Sequence, residues 1–424
     1  MKHLILGNGP AGVIAAETIR QHAPQDEITL VGDEAEPPYS RMAIPYLLSG
    51  SIGEDGTYLR KGKDHFAAHR IALRTGRAKS VDSKQRTVLL ADGATLAFDR
   101  LLIATGSSPA SPPIEGIDLP GVHACWTLAD ARKIMALAKP GARVLQMGAG
   151  FIGCIIMEAL ASRGVALSVV EMGDRMVPRM MGEGAGGMIK RWVESKGVKV
   201  HTSCRVEAIQ KKGSALNVRL SNGMNVDADL VISATGVKPN IAFLGQSGVT
   251  CAHGVVTDEY LQTSVPGIYA AGDCAEALDL VSGQHIVSAI QPNAADEAVC
   301  AGMNMAGKRM ALRGVTQINV LDTLGLVSTS FGQWQGVSGG EHAELSDEAN
   351  HRFLRLEFGG DVLVGANSVG LTEHVGVLRG LIESRVKLGA WKDRLRQNPL
   401  ALMEAYLASA QAQAAWGLKG YTVS

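Results

Sequence analysis

The sequence predicts an α/β fold in which one strand–helix–strand unit occurs twice and a smaller α+β region follows. Three observations carry this. First, two glycine hexapeptides, Gly7-Asn8-Gly9-Pro10-Ala11-Gly12 and Gly148-Ala149-Gly150-Phe151-Ile152-Gly153, each follow a short apolar run and open an alanine-rich helical stretch. Second, about 20 residues beyond each hexapeptide a second apolar run ends in acid, at Asp33 and Glu34 in one copy and at Glu171 in the other. Third, each half closes on the same tripeptide, Ala104-Thr105-Gly106 and Ala234-Thr235-Gly236.

The glycines have a steric explanation. The first permits a tight strand-to-helix turn, the second lets backbone approach a pyrophosphate, and the third lets helix and strand pack closely. The phosphates then face the open amides and the positive dipole end of the helix. The acid after the second strand suits a ribose diol. Two such units in context imply two Rossmann-like, dinucleotide-binding domains, and so a protein that passes electrons between two nucleotides.

Along the chain, residues 1–35 read as strand, helix and strand, with Met1 to Leu6 a first strand and not a signal peptide. A polar segment follows, Pro37-Pro38-Tyr39-Ser40-Arg41-Met42-Ala43-Ile44-Pro45-Tyr46, and then short alternating strands around Thr87 to Leu90 with an Asp92-Gly93 turn. Arg100 to Gly106 reads as a buried strand and turn. Prolines 109, 112, 113 and 120 mark a connector. Arg143 to Glu171 repeats the opening unit, and Leu230 to Gly236 repeats the closing strand. Beyond Pro239 the chain is expected to return to the first domain through Pro266-Gly267-Ile268-Tyr269-Ala270-Ala271-Gly272-Asp273 and a helix over about Asn293 to Ala306. Strand-like runs such as Phe353 to Phe358 and Val362 to Ala366 then build the α+β region. Helices are expected near 375–388 and 399–415, with Met403, Tyr406, Leu407 and Trp416 on a packing face.

Taken together, these motifs resemble the flavoproteins that pair an FAD domain with an NAD(P) domain. The pieces are both hexapeptides, both Ala-Thr-Gly endings and Ala271-Gly272-Asp273, in the family's order over residues 1 to about 395. The resemblance implies an FAD-binding domain from 1–107 and 243–310, an NAD-binding domain over 108–242, an α+β domain over 311–395 and a helical tail over 396–424. It implies that Gly7, Gly9, Pro10, Ala11 and Gly12 cradle the FAD pyrophosphate, that Asp33 or Glu34 holds the adenosine ribose, and that Asp273, beside Gly272, binds the ribityl chain. Ala104, Thr105 and Gly106 join that site. Gly148, Gly150, Phe151, Ile152, Gly153 and Gly236 would hold the nicotinamide dinucleotide. A carboxylate at Glu171 pairs with a free 2′-hydroxyl and repels a 2′-phosphate, so NADH is favoured over NADPH, with Arg175 and Arg179 as the features on the other side.

One branch of that family carries a redox cysteine just after the first unit. Here Pro38-Tyr39-Ser40-Arg41 stands there, and no cysteine occurs before Cys125. The chain is therefore similar to the ferredoxin and rubredoxin reductases and to the flavin-bearing front of assimilatory nitrite reductases, with Arg41 expected to stabilise charge on the reduced flavin. Pro45 and Ile155 depart from residues common in that branch, a lysine and a glutamate. NADH would deliver hydride to the flavin, and electrons would pass to an iron–sulfur or rubredoxin-type protein or subunit. An oxygen-reducing NADH oxidase, an NADH-sensing flavoprotein and the flavin subunit of a larger complex are the alternatives, and a homodimer stays open.

Composition fits this frame. The 424 residues suffice for two or three domains, and 41 basic residues balance 41 acidic ones, which argues against a nucleic-acid or anionic-membrane partner. There is no apolar run of about 18 residues for a membrane span. The six cysteines contain no CxxC, which fits a reducing, cytoplasmic setting and provides no metal or iron–sulfur ligand set. Cys154 and Cys274 are expected to be buried and inert.

Overall fold

The computed structural model of the chain describes residues 1–417, with side-chain environments as far as Ser409. The side chain of Trp416 and the end of the expected tail, 418–424, lie outside the described residues. The chain forms two compact units, one of residues 1–110, 126–133 and 236–315, the other of residues 111–125, 134–235 and 316 onward. No helix among the described residues is long and apolar enough to cross a membrane.

The first unit is built on a five-stranded parallel sheet in the order Ile268–Ala270, Arg100–Ile103, Lys2–Leu6, Glu27–Gly32, Ile71–Thr75. The central strands Lys2–Leu6 and Arg100–Ile103 and the strand Ile268–Ala270 are largely buried and read as nearly continuous apolar runs, as parallel strands do, while the edge strand Ile71–Thr75 is mostly exposed. On one face the helices Pro10–His22 and Gln291–Met305 cover Ile5, Leu30 and Leu102. Gly302 lets the two helices approach, since a Cβ there would lie 2.9 Å from Cβ of Thr18. On the other face a three-stranded antiparallel sheet, Ala78–Asp82, Thr87–Leu90 and Thr95–Ala97, closes over Leu4, Leu6, Val31 and Leu101.

The second unit contains the same plan. Its parallel sheet runs Lys199–His201, Ala166–Val170, Arg143–Met147, Leu230–Ser233, Val122–Ala124. An antiparallel meander, Val206–Lys212, Ala215–Leu220 and Asn225–Ala228, covers one face. To this is joined a five-stranded antiparallel sheet in the order Ile318–Thr323, Leu326–Gly332, Val362–Val369, Arg352–Gly359, Glu341–Asp347.

Among the described residues, three helices follow the last strand where two were expected: Val375–Ser384, Ala390–Gln397 and Leu402–Gly417. The expected 375–388 helix stops early because Arg385 takes φ 51° and Gly389 φ 54°. That left-handed backbone ends the helical repeat, and the chain restarts at Ala390. The last helix, expected over 399–415, begins at Leu402, just after Pro399.

Candidate functional site

Each hexapeptide is a turn from a parallel strand into a helix, and the two are superimposable in their bonding. The Gly7 amide donates to the Val31 carbonyl at 2.7 Å, and the Gly148 amide to the Val170 carbonyl at 2.8 Å. The Ala104 amide reaches the Leu6 carbonyl at 2.7 Å, and the Ala234 amide reaches that of Met147 at 2.8 Å. Gly7 and Gly148 have φ 110° and 97°, and a Cβ on either would strike the carbonyl oxygen of Ala104 or Ala234 at 1.9 or 2.4 Å. The third glycines are equally constrained: a Cβ on Gly12 or Gly153 would stand 1.9 or 2.5 Å from the carbonyl oxygen of Gly7 or Gly148.

The middle glycines differ in kind. Nothing lies within 4 Å of where a Cβ of Gly9 or Gly150 would be. Both are helix N-caps without a side-chain cap bond, and Pro10 sits at the first helical position, as Phe151 does in the second helix, with Ile152 next. A helix start with free space and no side-chain cap fits a phosphate group. On this geometry both turns accommodate a dinucleotide pyrophosphate.

The acids that follow are placed differently in the two units. Because Val31 and Val170 are equivalent, Gly32 occupies the position of Glu171, and Asn8 that of Ala149. Glu171 is held by two backbone amides, Ala149 to Oε2 at 2.7 Å and Gly173 to Oε1 at 2.8 Å. In the first unit the strand itself ends in glycine, not in acid. A Cβ on Gly32 would stand 2.3 Å from Cγ of Asn8, so the asparagine side chain fills that space. The acid moves on by one residue, to Asp33, which lines a cavity of about 450 Å³ with Leu6, Gly7, Arg77, Lys79, Thr105 and Asn240 among its walls. Arg77 binds Asp33 at 2.8 Å. Glu34 is already engaged: Tyr39 donates to Oε2 at 2.8 Å and Arg41 to Oε1 at 2.9 Å.

Arg41 is correspondingly tied down. Besides Glu34 it donates to the Trp126 carbonyl at 2.9 Å and lies over the Tyr39 and Trp126 rings. The Trp126 indole donates to the Ser107 carbonyl at 3.0 Å, and the Ser107 hydroxyl to Asp273 at 2.8 Å. Burial pushes the Asp273 carboxyl up from its ordinary range. Thr105 and Asn240 bond reciprocally, the threonine hydroxyl to the Asn240 carbonyl at 2.8 Å and the Asn240 amide to the Thr105 carbonyl at 3.0 Å. Gly106 and Gly236 both have positive φ, and the strands that follow them, Ser107–Pro109 and Val237–Pro239, pair antiparallel.

Several participants carry no sequence signal of their own. Glu297 is buried on helix Gln291–Met305 and accepts the Gly272 amide at 2.6 Å. Burial pushes its carboxyl up to about 8, the nearby Asp273 adding to the effect. Gln146 lies buried beneath the second turn and donates to the Gly148 carbonyl at 2.9 Å, where the first unit has Ile5. Of the two arginines that would favour a phosphate, Arg175 is bound to Met181 and Asp174 at 2.8 and 2.7 Å, and Arg179 is exposed. Cys154 and Cys274 are fully buried, and burial raises their thiols to about 12 and about 11.

A family model described as pyridine nucleotide-disulphide oxidoreductase matches residues 1–298. Subunit epsilon of the NADH-dependent phenylglyoxylate dehydrogenase of Aromatoleum evansii is 34% identical over 95% of this chain and 96% of its own length. Rhodocoxin reductase of Rhodococcus erythropolis is 32% identical over 74% of each chain. Among solved structures, an NAD-dependent persulfide reductase from A. fulgidus is 30% identical, with a TM-score of 0.85 over 92% of this chain and 78% of that one. Membership of this family implies FAD and NAD(H) as cofactors and an oxidoreductase activity. Its two matching nucleotide turns and their shared strand order agree: this chain belongs to the pyridine nucleotide-disulphide oxidoreductase family.

Proposed function

We propose that this protein takes electrons from NADH and passes them, through FAD, to a separate redox protein that carries an iron–sulfur or rubredoxin-type centre. The observation that carries the reading is the duplicated turn with its unequal acids. Gly7, Gly9 and Gly12, with Asp33 in the adjoining cavity and Asp273 across the sheet, are the FAD side. Gly148, Gly150 and Gly153, with Glu171 fixed on backbone amides, are the pyridine nucleotide side. Bound FAD supplies the conversion of a two-electron donor into single electrons. The chain itself supplies positioning and the exclusion of a 2′-phosphate.

NADH over NADPH is supported by Glu171 and by the commitment of Arg175 to neighbouring groups. Arg41 acts here chiefly as an organiser, holding Glu34, Tyr39 and Trp126 in one cluster beside Ser107 and Asp273. A protein acceptor is supported by the names of the relatives, a dehydrogenase subunit and a reductase. The six free cysteines accord with a cytoplasmic setting.

The test uses purified, FAD-reconstituted protein. NADH should bleach the visible flavin band faster than NADPH, and ferricyanide or cytochrome c should restore it faster than dissolved oxygen. A flavin band unmoved by NADH would overturn the reading. Rapid reoxidation by oxygen alone would reassign the protein as an NADH oxidase.

A further inference from the structure

The segment from Glu171 to Gly182 joins strand Ala166–Val170 to helix Glu183–Ser195 and is folded tightly onto the second glycine turn. The Val177 amide donates to the Ala149 carbonyl at 2.9 Å, while the Ala149 amide donates to Glu171. Val177 itself is strained. It is β-branched, buried, and held at φ 50°, a region that disfavours such side chains. Its carbonyl accepts the amides of Met180 and Met181 at 2.9 and 3.0 Å, and the Met181 carbonyl accepts Arg175 at 2.8 Å.

A strained residue persists only where its surroundings over-determine it. The determining group comes from the C-terminal sheet. Asn367, on strand Val362–Val369 and 1% exposed, donates through Nδ2 to the Met180 carbonyl at 2.9 Å and accepts the Gly182 amide on Oδ1 at 3.1 Å. One side-chain amide thus satisfies a donor and an acceptor on either side of Met181, as a paired strand would. Gly184 lets the same sheet come close, since a Cβ there would stand 2.7 Å from Cε2 of Phe353.

We propose that Asn367 is a positioning residue for the pyridine nucleotide: it locks the strained 171–182 segment and so sets both affinity and the preference for NAD(H) over NADP(H). The inference rests on the reading of the second turn as the NAD(H) site. The connection runs from Asn367 to Met180, Val177, Ala149 and Glu171, each through a hydrogen bond given above. Without Asn367, Val177 relaxes toward negative φ, its bond to Ala149 is lost, and the amide that fixes Glu171 shifts. Arg175 is released from Met181 at the same time and becomes available to a 2′-phosphate.

The experiment is calorimetric titration of the FAD-loaded full chain with NAD⁺ and with NADP⁺, together with hydrogen exchange at the Val177 amide. Asn367→Ala should weaken NAD⁺ binding about tenfold, lower the NADP⁺-to-NAD⁺ ratio of dissociation constants about threefold or more, and speed exchange at Val177. Glycine accepts positive φ without strain, so Val177→Gly added to Asn367→Ala should bring NAD⁺ binding back to within about threefold of the parent. A folded Asn367→Ala variant with the parent's affinities and ratio overturns the proposal. If that variant does not retain FAD, recovery of a folded holoprotein on adding Val177→Gly supports the lock, and no recovery overturns it. If the parent binds neither nucleotide, the functional reading fails separately. Val177 exchange then tests the lock by itself, and unchanged protection in Asn367→Ala overturns it.

Discussion

The two nucleotide units share strand order, meander and glycine turn, yet they solve the space around the turn in opposite ways. In the first, Asn8 is large and Gly32 bare; in the second, Ala149 is small and Glu171 reaches back onto its amide. The bulky side chain stands on the turn in one unit and on the strand end in the other, where it also brings the charge. Beneath the turns, Ile5 in the first unit corresponds to Gln146 in the second, and the two turn helices are covered by a helix, Gln291–Met305, in one unit and by a strand, Ile318–Thr323, in the other. The comparison teaches that the backbone of the turn is the conserved part of the design. The neighbouring side chains differ, and under the proposed function that difference fits each copy to its own nucleotide.

The comparison is broken most severely at the glycines with no room. Gly12→Ala and Gly153→Ala drive a Cβ into backbone at 1.9 and 2.5 Å, so each should cost about 3 kcal/mol or more. The first should abolish FAD retention and the second NAD⁺ binding. Gly9→Ala and Gly150→Ala point into open space and should leave Tm within about 2 °C while weakening the matching nucleotide. Equal loss of stability at Gly9 and Gly12, read by thermal unfolding, would end the claim that these glycines have different tasks.

A smaller effect distinguishes the units by pH. Glu297 has its carboxyl raised to about 8 in the fold, so the folded state holds a proton that the unfolded chain releases at lower pH. Its contribution is full below the ordinary carboxylate range and is lost as pH rises toward 8. Glu297→Gln should therefore flatten the decline in stability over that window and be about 2 kcal/mol more stable than the parent at the alkaline end. Parallel pH profiles for the two proteins in urea unfolding would refute this.

The finest test concerns the exchange of volume. Gly32→Ala should destabilise by about 1–2 kcal/mol because its Cβ meets Asn8. Adding Asn8→Ala should recover half or more, a coupling of about 1 kcal/mol in a double-mutant cycle. Strict additivity would show that Asn8 is not what fills the Gly32 site.

Much of this was legible in the chain itself. Glycine spacing, apolar runs and the Ala-Thr-Gly endings report local backbone requirements, and local requirements are written in consecutive residues. The return to the first sheet at Ile268–Ala270 was equally visible, because a buried parallel strand is apolar throughout. The acid of the first unit was harder to place. Whether Asp33 or Glu34 faces the cavity depends on the register of the strand against Asn8 and on how Tyr39 and Arg41, five and seven residues beyond Glu34, fold back onto it.

By itself, then, the sequence determined the duplicated α/β plan, the two turns and the identity of their glycines, since sterics at a turn act over a few residues. The tertiary structure alone decided that Glu297 would be buried under Gly272, that Trp126 and Ser107 would relay Arg41 toward Asp273, and that Asn367 would clamp a loop 185 residues away. Those roles arise from desolvation and from hydrogen bonds between distant segments, which no local spacing encodes.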